Sequence, residues 1–106
     1  MPDARRRMTT RAKAVAVPRI EDGRLIATEW RMAPGSETGW HRHAHDYAVV
    51  YLTSGELLVE TKDGPLTASL ERGQVTSREA GVEHNVINSN DFDFVFVELE
   101  LKCRGV

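Results

Sequence analysis

The chain has 106 residues, enough for one domain with one core. Hydrophobic residues make up 41% and charged residues 28%, the balance of an ordinary globular protein. A formal charge of −2 gives no reason to expect nucleic acid or a membrane surface as partner, and no apolar run approaches the roughly 20 residues that span a bilayer.

Arg5, Arg6, Arg7, Arg11 and Lys13 make the start of the chain basic. The run is too short and too unsupported for a nucleic-acid arm. It reads as a mobile, solvated terminus over residues 1–12, ahead of a domain at 13–106. Met8 to Arg11 is polar where the apolar core of a secretory signal would begin, so no signal is expected. The single cysteine, Cys103, has no partner for an internal disulfide, which fits a cytoplasmic location.

Turn chemistry punctuates the chain at Glu21-Asp22-Gly23, Pro34-Gly35, Ser54-Gly55, Asp63-Gly64-Pro65, Arg72-Gly73, Ala80-Gly81 and Asn88 to Asp91. The stretches between are five to eleven residues long, which predicts many short strands in a sandwich or barrel. Ala14 to Pro18 is a short strand that Pro18 confines to an edge or an end. Arg24 to Met32 alternates, with Ile26, Thr28, Trp30 and Met32 inside and Glu29 and Arg31 outside. Thr38 to Ala44 carries histidines. Tyr47 to Thr53 has the β-branched and aromatic content of a central strand, and Leu57 to Lys62 is expected to pair with it as a hairpin across Ser54-Gly55. Leu66 to Leu70, Gln74 to Glu79 and Val82 to Asn88 are shorter strands. Phe92 to Lys102 is the longest. Its first half is apolar on both faces, and Glu98 and Glu100 are expected to turn one face of its second half to water. No amphipathic helix of ten residues is visible.

Three of the four histidines, His41, His43 and His45, fall within five residues. On a strand, alternate side chains share a face, with neighbouring Cα atoms roughly 6.6 Å apart. Neutral imidazole is the commonest protein ligand for Zn, Fe, Ni, Cu and Mn. Two such rings can converge on one ion, and the distant His84 can supply a third. Three protein ligands with open positions describe a catalytic rather than a closed structural site. The same run also fits a surface strand, and spacing alone leaves that alternative open.

The wider pattern resembles the cupin superfamily of small jelly-roll barrels, including its RmlC-like single-domain members. Gly35, His41, His43 and Gly55 match the first cupin motif in its four-residue spacing variant. Gly73, Gly81, His84 and Asn88 match the second, with Glu79 where a proline is usual. Together the motifs cover Gly35 to Asn88. The resemblance implies an all-β, single-domain jelly-roll β-barrel whose divalent transition metal (Fe, Zn, Ni, Mn or Cu) is held by His41, His43 and His84. The motif's glutamate position falls on Ala48, which the resemblance places inside the barrel. A three-histidine site leaves the ion's charge uncompensated, so the ion becomes a stronger Lewis acid with one more open position.

His45, Asp46 and Glu37 are the local candidates to replace the lost carboxylate, with Asp46 a candidate to hold an imidazole N–H; for His45 and Asp46 a rim loop facing water is the alternative. Tyr47 and Tyr51 alternate with Ala48, Val50 and Leu52 and are expected to face away from the interior, as packing or interface residues. Trp30, Met32, Phe94 and Phe96 read as core or pocket wall, and Asn88 as the anchor of a turn at a strand end. The His41 and His84 segments also look like those of a small cupin subgroup in which some members are labelled β-alanine degradation proteins. The expected function is metal-dependent, with dioxygenase-like oxidation of a small polar or anionic metabolite first, and isomerase or lyase chemistry on the same barrel also open. A non-catalytic barrel that binds a small ligand, with a degenerate or empty metal site, is the alternative. Sheet edges in a short jelly roll need cover, so a homodimer is expected, formed by the N-terminal strand or the Tyr47/Tyr51 face.

Overall fold

The computed structural model describes residues 10–102. Arg5, Arg6, Arg7 and Cys103 lie outside the described residues. Among the described residues there is no helix. The strands are β1 (Val15–Glu21), β2 (Leu25–Met32), β3 (His41–Arg42), β4 (Asp46–Tyr51), β5 (Gly55–Thr61), β6 (Gly64–Leu70), β7 (Val75–Arg78), β8 (Glu83–Asn88) and β9 (Phe94–Leu101). They form a five-stranded sheet in the order β1-β2-β9-β4-β7 and a four-stranded sheet in the order β3-β8-β5-β6. Strand neighbours pair antiparallel throughout. This is the expected all-β jelly roll.

The two inner faces meet in a core of Met32, Tyr47, Val49, Leu57, Leu70, Val86, Phe94 and Phe96. Burying each large apolar side chain of this kind stabilises the fold by about 1.5–3 kcal/mol. β1 is an edge strand, as Pro18 requires, but it runs on to Glu21. The ladder shifts register between Pro18 and Ile20, where proline has no N–H to give.

Three expectations are corrected by the register. First, β4 and β5 do not form a hairpin. β4 pairs with β9 and β7, while β5 pairs with β6 and β8. The chain crosses between sheets at Ser54-Gly55. Asn90 fastens the crossing: its Oδ1 accepts from Glu56 N–H (3.1 Å) and its Nδ2 donates to Glu56 C=O (2.7 Å).

Second, the phase of β4 is opposite to the one expected. Tyr47, Val49 and Tyr51 lie opposite Glu100, Glu98 and Phe96 of β9, on the inner face. Ala48 lies opposite Leu99 and Ser77, on the outer face. Third, Glu98 and Glu100 continue the inward phase of Phe94 and Phe96. Glu98 leaves only 12% of its side chain exposed.

The outer face of the five-stranded sheet is apolar over much of its area. Ala27 is buried there, opposite Leu99, although the alternation of Arg24 to Met32 put its side of the strand in water. Val15, Ile20, Val75 and Leu101 remain exposed.

Asn88 joins β8 to the other sheet. It is fully buried, and its Nδ2 donates to the carbonyls of Met32 and Phe92, both at 2.8 Å. Its Oδ1 accepts from the backbone N–H of Asn90 at 2.9 Å. This is the turn-anchoring role its place in the motif suggests.

Candidate metal centre

β3 is two residues long and rests on β8 through the pairs His41↔His84 and Arg42↔Glu83. Directly opposed residues share a face, so His41 and His84 project together. His43 lies one residue beyond the strand, but its backbone still follows the ladder. Its N–H donates to Val82 C=O (2.9 Å), and its C=O accepts from Gly81 N–H (2.8 Å). Gly81 makes this approach at φ +102°, a conformation that side chains disfavour. His43 therefore returns to the face of His41.

The three rings converge. Nε2 of His43 is 3.0 Å from Nε2 of His41 and 3.2 Å from Nε2 of His84. With metal–nitrogen bonds of about 2.0–2.1 Å, adjacent ligand nitrogens stand about 2.9 Å apart in octahedral and about 3.4 Å apart in tetrahedral geometry. The observed spacings fall inside that interval.

Second contacts set the tautomer. Nδ1 of His41 is 2.8 Å from the Gly39 carbonyl, which can only accept, so Nδ1 carries the proton and the Nε2 lone pair faces the cluster. The Gly39 segment is itself held by Asn85, whose Oδ1 accepts from Gly39 N–H (2.9 Å). Burial lowers the pKa of His43 from 6.5 to about 4, and His41 and His84 add to the effect. Burial likewise lowers His84 to about 4, with further contributions from His41 and Arg78. Neutral rings whose nitrogens are aimed at one point fit a divalent transition ion.

The other sequence candidates disperse. His45 sits beyond a bend and is not in the cluster. Asp46 is exposed and accepts from Ala80 N–H (2.8 Å), so it holds a turn rather than an imidazole. Glu37 accepts from Asn85 Nδ2 (2.9 Å) and Arg11 (3.1 Å), and the Asn85 bond, then Arg11, hold its carboxyl below the usual range. Met32 is fully buried core, while Trp30 and Phe96 line the cavity beside the histidines. Ala48 is outside. The side chain on the histidines is Tyr47, whose ring stacks on His43 with centroids 3.8 Å apart and 16° between planes.

The carboxylate that does reach the cluster comes from β9. Glu98 Oε2 lies 3.8 Å from His43 Nε2, and Glu100 is close by. Burial pushes the Glu98 carboxyl up from 4.5 to about 7, Glu100 adds to it, and a hydrogen bond from Trp30 opposes it. The sequence held one signal for this position: Phe94, Phe96, Glu98 and Glu100 share a phase, so an inward Phe96 implies an inward Glu98. The cluster opens on a cavity of about 430 Å³ between the sheets, walled by Val49, Leu57, Val86 and Phe96 and reached by Arg78.

Residues 28–100 match the family model described as a cupin domain. The beta-alanine degradation protein BauB of Pseudomonas aeruginosa is 54% identical over 95 residues, 90% of this chain and 100% of that protein. The crystal structure of a cupin domain from Bordetella pertussis superposes with a TM-score of 0.89 at 51% identity, over 91% of this chain and 100% of the other. An RmlC-like cupin family protein from Methanocaldococcus jannaschii shares the fold at a TM-score of 0.70 and 14% identity, over 93% and 86% of the two chains. The match to the cupin domain runs from the middle of β2 nearly to the end of β9, and on it the chain belongs to the cupin superfamily.

Proposed function

We propose that the chain is a metal-dependent enzyme acting on a small polar or anionic metabolite, with dioxygenase-like oxidation as its reaction. The observation that carries this reading is the convergence of the Nε2 atoms of His41, His43 and His84 at the wall of a mostly apolar cavity that opens to solvent. A divalent ion of Fe, Zn, Ni, Mn or Cu bound there supplies Lewis acidity and open positions for a small ligand. The chain does the rest. The Gly39 carbonyl orients His41, Tyr47 packs against His43, and Phe96, Val49 and Val86 give the cavity apolar walls. Glu98 holds a carboxyl beside the cluster, where it can take or give a proton near neutral pH. The name of the P. aeruginosa relative supports a place in the catabolism of small carboxylates of the β-alanine type. A homodimer in the cytoplasm belongs to the same reading. The exposed Val15, Ile20, Val75 and Leu101 on the outer sheet support the contact, and the inward Tyr47 and Tyr51 are no part of it.

The test is elemental analysis of untagged protein, with His41→Ala and His84→Ala beside it, followed by aerobic and anaerobic turnover assays with the ion found. Close to one ion per chain in the wild type, lost in both variants, is expected. Fewer than about one ion per ten chains sinks the reading. One observation favours the alternative of a non-catalytic small-ligand barrel: the motif's carboxylate position holds Ala48, and that residue faces outward. A ligand bound equally by metal-free and metal-loaded protein, without turnover, would establish that alternative.

A further inference from the structure

Arg78 lies on the cavity face of β7. Its register partner is Tyr47 of β4, and Tyr47 stacks on His43. Cross-strand partners share a face, so Arg78 stands at the rim of the cavity on the Tyr47 side; it is exposed there and also borders a second depression with Asp46, Ala48, Ser77 and Glu79. It lines that cavity with His41, His84 and Glu98, and it is the only Lys or Arg among the lining residues. Arg19, Arg31 and Arg42 each meet a glutamate. Among the described residues no carboxylate lies within 4.0 Å of Arg78. Its one side-chain hydrogen bond is from Nη1 to the carbonyl of its own neighbour Ser77, at 2.8 Å. Most of a five-donor fork is therefore open. Glu98, the one carboxylate of the wall, sits against His43 instead.

We propose that Arg78 is the carboxylate-recognition residue of the cavity, and that the cavity takes a short carboxylic acid bearing a second oxygen function. The carboxylate occupies the Arg78 fork, and the second oxygen is directed to the histidine cluster. The placement of the second oxygen rests on the metal reading; the Arg78 contact does not. Arg78 is exposed at the open side of the cavity, and a guanidinium there matches a carboxylate in plane and in spacing. A neutral ligand of the same shape leaves the fork unmatched.

The experiment is calorimetric titration of 3-hydroxypropionate and of its neutral amide, 3-hydroxypropionamide, into wild type, Arg78→Gln and Arg78→Lys. Each protein is studied metal-free and nickel-loaded, with metal content measured. The expected result is a preference for the acid of roughly tenfold or more in the wild type, from one charge-assisted contact. Arg78→Gln abolishes that preference with metal content unchanged, and Arg78→Lys keeps part of it. Wild type that binds acid and amide equally, or binds neither, overturns the proposal. So does an acid preference that survives in Arg78→Gln. Failure of the wild type to load metal sinks the metal reading alone, because the acid preference of the metal-free protein still decides the role of Arg78.

Discussion

Glu98 is a carboxylate held in the barrel at the protein's own expense, and replacing it should stabilise the metal-free fold. Its pKa rises from 4.5 to about 7, first because burial penalises the charged form and then because Glu100 lies nearby. At about 1.4 kcal/mol per pH unit, that shift is on the order of 3 kcal/mol. The direction follows from linkage. The folded state holds this proton more tightly than the unfolded chain, so stability from Glu98 is intact below about pH 4.5. It is lost as pH rises toward 7, and the full cost is present above 7. Glu98→Gln keeps the shape of the neutral acid and removes that cost. Urea unfolding of metal-free wild type and variant from pH 4.5 to 8.5 should give curves that coincide at the acid end and separate by about 2–3 kcal/mol at pH 8. For a domain of this size that is a rise in Tm of about 10–20 °C. Comparing the two proteins at each pH cancels the opposing contribution of the histidines. A variant no more stable than wild type at pH 8, or a gap that does not widen between pH 4.5 and 7, refutes the reasoning. Loading the site with a divalent ion should shrink the gap, because a nearby positive charge favours the ionised carboxylate.

Other outcomes follow from the same structure. His43 and His84 have pKa values lowered to about 4, so their rings stay neutral well below the usual histidine range. Bound metal, followed by dialysis and elemental analysis, should be retained at pH 5.5 and released only as pH falls toward 4; release centred on pH 6.5 would contradict this. Ala48→Glu, the substitution that restores the motif by sequence, places its carboxylate on the outer face opposite Leu99 and Ser77. It should leave metal affinity within about twofold of wild type, since an exposed charge across the sheet is largely screened. A large gain in affinity would show that Ala48 faces the ion after all. Asn88→Ala strips the Met32 and Phe92 carbonyls of their donor in a fully buried place. It should cost about 2–4 kcal/mol in urea unfolding, far more than a surface asparagine, and a loss below about 0.5 kcal/mol would remove Asn88 from its joining role.

The cupin architecture was legible because glycines, turns and the two histidine segments recur at spacings that few other folds need. The histidine cluster was legible for a local reason: His41 and His43 are two apart, and both reach the face opposite His84. What stayed hidden was phase. Tyr47 to Leu52 is apolar on both faces, so no polar residue marked which side was out, and a motif that allows three or four intervening residues cannot choose between Tyr47 and Ala48. The choice was made by pairing with β9, a contact some fifty residues away. Glu98 was hidden by a sound rule misapplied. Charged residues usually face water, but strand periodicity is rigid, and after Phe94 and Phe96 it leaves Glu98 no other direction. The crossing at Ser54-Gly55 was read as a hairpin because the local signal is a turn. The change of sheet is set by distant pairings, β4 with β9 and β7 and β5 with β6 and β8, and the Asn90 contacts to Glu56 fasten it.

β3 lies at the rim of the smaller sheet, and hydrogen bonds from Thr38 N–H to Val86 C=O and from His43 N–H to Val82 C=O extend its two residue pairs with β8. Such a segment opens locally at far lower free energy than the barrel unfolds. Two of the three convergent imidazoles ride on this segment or directly after it, and the third belongs to the well-paired β8. For an ion held by these rings, entry and departure would require β3 to lift and close. An ion bridging both sides would pin the rim shut. Slowed amide exchange at His43 and Gly81, whose hydrogen bonds clasp the segment, would then serve as a clock for occupancy.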